Sequence, residues 1–240
     1  MSMTMLDGVV LHRRPYRETS MIVDFFTRDN GRLSAVCRGV RGGKSAKSNE
    51  RKSAIQPFQT LKLSFSGRSE LKTLTQIETL GRGYNLHGTV LFCALYINEL
   101  INRVVPNEVA YPEIFDLYLA SLLRLSEQDN VEIVLREFEI TLLQLLGYGF
   151  DWQSDGQTGE PLQADAYYSF VLDYGFQRLL GQEAHQNCFT GANLADIARF
   201  HWTPSSLQTA KRVTRMAFRP IIGDKPLKSR ELFQKLEQKK

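Results

Sequence analysis

Five short runs rich in Val, Ile, Leu, Phe and Thr crowd the first 80 residues: Gly8–His12, Thr19–Thr27, Arg32–Val40, Ile55–Phe65 and Leu71–Leu80. Turn residues punctuate them. Asp29-Asn30-Gly31 joins the second run to the third, and Asn-Gly accepts the positive φ that a tight hairpin needs. Ser66-Gly67-Arg68 closes another hairpin. In the second run Met21, Val23 and Phe25 share one parity and Ile22 and Phe26 the other, with Asp24 interrupting. That pattern predicts a strand buried on both faces for part of its length. Five strands this short fit a small closed barrel, of which the OB-fold is the common five-stranded form. An SH3-like barrel is the rival that periodicity cannot separate from it.

Between the third and fourth runs lies Arg41 to Ser53, with Arg41, Lys44, Lys47, Arg51 and Lys52 against Glu50. It has almost no apolar residue and is expected to be a mobile, exposed loop. After Gly81-Arg82-Gly83 the apolar period becomes helical, through Leu91, Leu95, Leu100 and Ile101. Further helices are expected at Pro112–Ser126, Val131–Leu146, Leu194–Phe200, Thr203–Phe218 and from Leu227 to about Leu236. Phe150–Asn187 reads as irregular, with a possible strand at Tyr167–Leu172. The expected class is α+β: an OB-fold barrel over 1–80, then a mostly helical domain over 81–240 with an irregular insert at about 150–187.

Net charge is only +4, but its distribution is uneven. Residues 1–80 carry +7, residues 81–204 carry −10, and residues 205–240 carry +7. Basic ends around an acidic middle point to a polyanion partner at the ends. Cys37, Cys93 and Cys188 are odd in number and far apart, so reduced, mostly buried thiols are expected. No run approaches the ~20 apolar residues of a membrane helix, and residues 1–11 lack the pattern of a secretory signal. The expected address is the cytoplasm.

Catalytic motifs fail on spacing. Gly39-Val-Arg-Gly-Gly-Lys-Ser45 is one residue short of a phosphate loop and runs into a polar stretch. His12, His87, His185 and His201 form no metal-binding pattern, and no cysteine pair has zinc spacing. Asp151, Asp155, Glu160, Asp165 and Asp173 could build a metal-dependent nuclease, but also a plain acidic surface. Binding features are richer. Arg38, Arg41, Lys44, Lys47, Arg51 and Lys52 gather at one edge of the proposed barrel, as phosphate contact requires. Tyr16, beside Arg13, Arg14 and Arg17, is the barrel aromatic expected to be exposed. Lys211, Arg212, Arg215 and Arg219 form a basic helical face bordered by Val213, Met216, Ala217 and Phe218, suited to DNA or to an acidic peptide with an apolar end.

These residues carry a resemblance. Arg14-Pro15-Tyr16-Arg17-Glu18-Thr19-Ser20, Val23-Asp24-Phe25-Phe26-Thr27, Asn30-Gly31-Arg32-Leu33 and Arg38-Gly39-Val40-Arg41 resemble the N-terminal signature of RecO proteins. So do Gln56-Pro57-Phe58, Leu95–Leu100, Arg136–Glu139, Leu146–Gly149 and the closing Lys225–Phe233, in the same order over nearly the whole chain. The enterobacterial-like branch is the nearest in pattern. The resemblance implies a non-enzymatic DNA repair and recombination mediator without cofactor. Such a protein binds single- and double-stranded DNA, anneals complementary strands, and partners RecR and the acidic, hydrophobic tail of single-stranded DNA-binding protein. It thereby helps load RecA onto coated DNA. A nucleoid-associated location during repair and a monomeric state are expected with it. Many family members have a four-cysteine zinc site after the Leu-Gly-Tyr-Gly motif. Here Asp151–Gly156 stands in place of the first pair, so no metal is expected. Packing by Trp152, Tyr167, Tyr168, Tyr174 and Phe176 must hold the segment instead.

The resulting assignment gives DNA contacts to Arg14, Arg32, Arg38, Arg41, Lys44, Lys47, Arg51, Lys52, Lys225, Lys228 and Arg230. It gives the tail of single-stranded DNA-binding protein to Arg136, Lys211, Arg212 and Arg215. Three alternatives stay open: an RNA-binding OB protein, a nuclease dependent on Asp151 or Asp155, and a purely structural adaptor.

Overall fold

A computed structural model describes residues 5–41, 46–179, 188–229 and 231, without the side chains of Ala46 and Lys47. They group into two compact units, residues 1–128 with 226–240, and residues 129–225.

The first unit opens with β1 (Leu6–Tyr16), β2 (Ser20–Thr27), β3 (Gly31–Cys37), α1 (Ala46–Ala54), β4 (Thr60–Ser66) and β5 (Leu71–Leu80). The strands close into a barrel in the order β1-β2-β3-β5-β4, in which β3 and β5 run parallel and the other pairs antiparallel. This is the expected OB-like architecture. Its core is Val10, Val23, Phe25, Leu33, Ala35, Cys37, Val40, Ile55, Leu61, Leu63 and Leu74. Along β3 buried residues alternate with half-buried ones, the period-two signature of a strand. On β2 every residue from Val23 to Thr27 is buried. Phe25 points into the barrel, while the Phe26 ring lies 5.6 Å from that of Phe115 on α3 (Pro112–Ser126). At Gly31, φ is +66°, and a Cβ would come within 1.9 Å of the Val109 carbonyl oxygen, so the β2–β3 turn requires glycine.

The basic stretch after Arg41 corrects the expectation of a loop, because residues 46–54 form α1. Its buried side is made of Ser48, Ala54 and the following Ile55, with no run of large apolar side chains. The apolar period that announces a helix is therefore missing from the sequence. Ser48 Oγ donates to the Gly39 carbonyl at 2.6 Å, and Ile55 is 1% exposed.

β1 carries a bulge between Val10 and His12. The carbonyls of Val10 and Leu11 there accept bonds from Asn98 Nδ2 of α2 (Gly88–Val104), at 3.3 and 3.1 Å. The extra residue frees acceptors from the ladder, and the buried amide satisfies them. The unit also takes in the returning chain. Glu99 on α2 accepts from Lys228 N at 2.9 Å, Ser229 N at 2.8 Å and Ser229 Oγ at 2.7 Å, and Leu227 is 1% exposed. A carboxylate facing the free N–H groups at a helix start is a stabilising arrangement. The expected helix beyond residue 231 lies outside the described residues.

The second unit contains α4 (Val131–Leu145), β6 (Tyr167–Val171), β7 (Gly175–Arg178), β8 (Cys188–Thr190), α5 (Gly191–Ala198) and α6 (Pro204–Ile222). Asn130 caps α4 by accepting from Glu132 N and Ile133 N, and Thr203 with Ser206 forms a reciprocal capping box at α6. The segment read as irregular supplies β6, at the strand expected over Tyr167–Leu172, and the unforeseen β7, which form a small sheet with β8 in the order β7-β6-β8. Phe150, Trp152, Phe170 and Phe176 pack within it at ring separations of 4.7 to 5.7 Å, and Phe189 joins at 6.3 Å from Phe176. Of the aromatics expected to hold this segment, Trp152, Tyr168 and Phe176 are buried, whereas Tyr174 is 64% exposed. Among the described residues no helix is long and apolar enough to cross a membrane.

Candidate nucleic-acid interface

The β1–β2 hairpin and the segment leaving β3 meet at one end of the barrel. Val40 N and Arg41 N both donate to the Thr19 carbonyl, at 3.0 and 3.1 Å, and Arg41 Nη1 donates to the Arg17 carbonyl at 3.0 Å. The end of α1 is tied in by Arg13 Nη1, which donates to Ile55 O at 3.0 Å. These bonds gather Arg13, Arg17, Arg38 and Arg41 at the hairpin end; Arg14, next to Arg13 on β1, and Lys52, three residues before Ile55, are exposed like them. Of this group, Arg14, Arg38, Arg41 and Lys52 were expected at the DNA from the sequence. Arg13 and Arg17 stood beside Tyr16 in the sequence but were not assigned to DNA. Their place follows from the hairpin register, Arg13 opposite Val23 and Tyr16 opposite Ser20.

Beneath the rim, Asp24 is 5% exposed. It accepts from Ser34 Oγ at 2.6 Å and lies 3.4 Å from Arg14 Nη1 and 3.5 Å from His12 Nδ1. Burial pushes its carboxyl up. The bonds from His12 and Ser34 and the charge of Arg14 outweigh this and hold it below the usual carboxylate range. It therefore stays ionised and anchors Arg14 from one side.

Other expected contacts are placed differently. Arg32 is half-buried, donating through Nε to Val105 O and through Nη1 to Asn102 Oδ1, both at 2.9 Å. It thus seals the C-terminal end of α2, where a cation is favoured. Arg51 is half-buried and its Nη2 donates to Thr75 O at 3.2 Å. Lys228 is exposed, beside the Glu99 contact. Lys225 is exposed in the second unit. Lys44, the Lys47 side chain and Arg230 lie outside the described residues.

Comparison with known proteins decides the family. Residues 1–82 match the model described as Recombination protein O N terminal, and residues 87–231 match Recombination protein O C terminal. The chain belongs to the RecO family. It is 47% identical over 236 residues to the DNA repair protein RecO of Pseudoalteromonas atlantica, covering 98% of this chain and 95% of that one. It is 43% identical to the RecO of Vibrio cholerae, with 96% and 95% covered. It is 42% identical to that of Haemophilus influenzae, with 94% of each covered.

In this RecO chain the α4–α6 pair carries the remaining assigned residues. Arg136 is 7% exposed, and its Nη2 donates to Glu139 Oε1 at 2.9 Å. Glu139 Oε2 accepts from Thr214 Oγ1 of α6 at 2.5 Å. Arg136 Nη1 is buried without a hydrogen-bond partner among the described residues. Lys211 and Arg215 are exposed on α6, and the Arg212 guanidinium lies 4.7 Å from the centre of the Phe189 ring. A cleft of about 390 Å³ opens nearby in sequence, lined by Tyr148, Phe150, Phe170, Leu172, Ala217 and Ile221 among others. None of Arg136, Lys211, Arg212 and Arg215 lines it.

Two of the central carboxylates weighed for metal chemistry, Asp155 and Asp151, are taken up by local hydrogen bonds. Asp155 Oδ1 accepts from Gln157 N and Thr158 N, and Oδ2 from Arg178 N at 2.7 Å. Asp151 accepts from Gln153 N and from Ser154 Oγ. No group of three or more His, Cys, Asp or Glu side chains able to hold a metal occurs among the described residues. Cys37 is buried in the barrel, and burial pushes its thiol up to about 12, so it is an unreactive core residue.

Proposed function

We propose that this protein is a DNA repair and recombination mediator that binds single- and double-stranded DNA at the barrel rim and anneals complementary strands. The observation that carries this reading is the grouping of exposed Arg13, Arg17, Arg38 and Arg41 at the hairpin end of the barrel, with exposed Arg14 and Lys52 on the adjoining β1 and α1. Cations so grouped neutralise phosphates of two strands at once and reduce the repulsion that opposes pairing. The relatives are named as DNA repair proteins, which supports the same reading. No bond is made or broken, so no catalytic residue is required, and the cytoplasm, at the nucleoid during repair, is the site of action.

The second unit supplies the partner contact. An acidic, apolar tail of single-stranded DNA-binding protein is held by Lys211, Arg212 and Arg215, with Met216, 37% exposed, beside them. Arg136 Nη1 is buried without a partner among the described residues, so a tail carboxylate reaches it only once the side chains covering it move aside. RecR is a second partner, and loading of RecA onto the coated strand is the outcome.

The test is annealing of complementary oligonucleotides, bare and coated with single-stranded DNA-binding protein, across a salt series without ATP or metal. Rapid annealing that weakens steeply with salt is expected. Absence of both annealing and DNA binding would overturn the reading. Tail-peptide affinity unchanged by Arg136→Ala and Arg215→Ala would remove the second unit's role.

A further inference from the structure

We infer that Tyr16 is the platform on which a base of an unpaired strand stacks, and that it makes the rim prefer single strands to duplex. The inference rests on the DNA-binding reading above and adds the subsite that reads the base. Tyr16 ends β1 opposite Ser20, half-buried, so its ring is fixed to the barrel on one side. The Arg17 guanidinium lies over the ring, 5.2 Å from its centre. Arg17 holds a φ of +51°, a left-handed conformation that a residue with a Cβ adopts when its surroundings impose it. The surroundings here are the Arg41 bond to the Arg17 carbonyl and the two amide bonds to Thr19 O.

The barrel's other aromatics offer no such face to the rim. Phe25, Phe26 and Phe58 are buried, and Phe65 packs edge-on to Phe25 at 5.4 Å. Tyr16 alone among these stands amid exposed cations, Arg13, Arg14, Arg17, Arg38 and Arg41. A planar guanidinium over a ring occupies the face that a planar base would occupy. An incoming base displaces Arg17, which is exposed and then faces the phosphate of the same nucleotide. Bases inside a duplex already have both faces covered by their neighbours, so they cannot make this exchange. Paired DNA is then held by phosphate contacts alone.

The experiment compares the affinity of the full chain for a thymidine oligonucleotide, an abasic oligonucleotide of equal length and charge, and a duplex. The wild-type protein is expected to favour the thymidine strand over the abasic one by about tenfold, the scale of one stacked base. Tyr16→Ala should abolish that preference, with the loss confined to the base-bearing single strand. Tyr16→Phe, which keeps the π-face, should retain it. Equal wild-type affinity for thymidine and abasic strands overturns the stacking site while leaving the DNA-binding rim intact. So does a preference that survives in Tyr16→Ala. No affinity for any of the three nucleic acids overturns both readings together.

Discussion

Tyr118 donates its phenolic hydroxyl to the side-chain oxygen of Asn98 across 2.8 Å, with the ring fully buried and the amide 2% exposed. The same amide donates to the two carbonyls freed at the β1 bulge, so one side chain closes three hydrogen-bonding debts. Burial of the tyrosine also drives its hydroxyl well above the usual range, which keeps it a donor. Asn98→Ala should therefore cost about 3 kcal/mol, because it leaves two backbone acceptors and one hydroxyl unpaired. Tyr118→Phe should cost only about 1 kcal/mol. Urea unfolding with an unchanged slope on denaturant would check both.

Arg32 bonds within the fold, whereas the proposed function assigns Arg41 to phosphate, and the two can be told apart. Arg41→Ala should reduce the magnitude of the salt slope of duplex binding by about one unit, with stability nearly unchanged. Arg32→Ala should lower stability by about 2 kcal/mol, since Val105 O and Asn102 Oδ1 lose their shared donor. Salt titrations and thermal melts on the two variants separate the roles. An Arg32 variant of wild-type stability with a reduced slope would reverse the assignment.

Asp155 predicts an acid limb in the stability of the second unit. Burial raises its carboxyl, but bonds from the Arg178, Gln157 and Thr158 backbone amides hold it below the usual range. A depressed folded value means the contribution is complete above the unfolded value of about 3.9 and is lost as pH falls through the lower folded value. Asp155→Asn should flatten that limb and cost about 1–2 kcal/mol near neutral pH, because an amide accepts at one oxygen only. Trp152, packed 5.3 Å from Phe176, reports the change by fluorescence.

Glu99 predicts a detachable chain end. Glu99→Ala removes the acceptor for three donors on Lys228 and Ser229. Limited trypsin digestion should then cleave after Lys228 several-fold faster than in the wild type, while cleavage elsewhere keeps its rate; the Lys225-Pro226 bond resists trypsin in both. Equal rates in both proteins would show that burial of Leu227 holds the end unaided.

The barrel was legible because its strands announce themselves twice, by period-two burial and by turn chemistry, as at Gly31. Ile22 and Phe26, opposite in parity to Val23 and Phe25, even foretold a strand with two buried faces, although Asp24 was read as an interruption and is itself buried. α1 was not legible, since Ser48 and Ala54 give a helix no apolar period, and β7 was hidden because Gly175–Arg178 is four residues long. At the rim, sequence revealed the cations but not their employment. Arg32 and Arg41 look alike in a string of letters, and only the nearness of the α2 C-terminus to one of them tells them apart. Asn98 and Glu99 fell within a recognised motif, yet their partners lie 88 and 130 positions away, beyond any local pattern.

That last separation also has a tempo. At roughly 5–20 residues per second, a ribosome makes Glu99 about ten seconds before Ser229, 130 positions later. During that interval the whole of residues 129–225 is translated. Until then Arg103, one turn on along α2, is the cation beside the Glu99 carboxylate, and the unit begun first gains its last contacts after the second has been made.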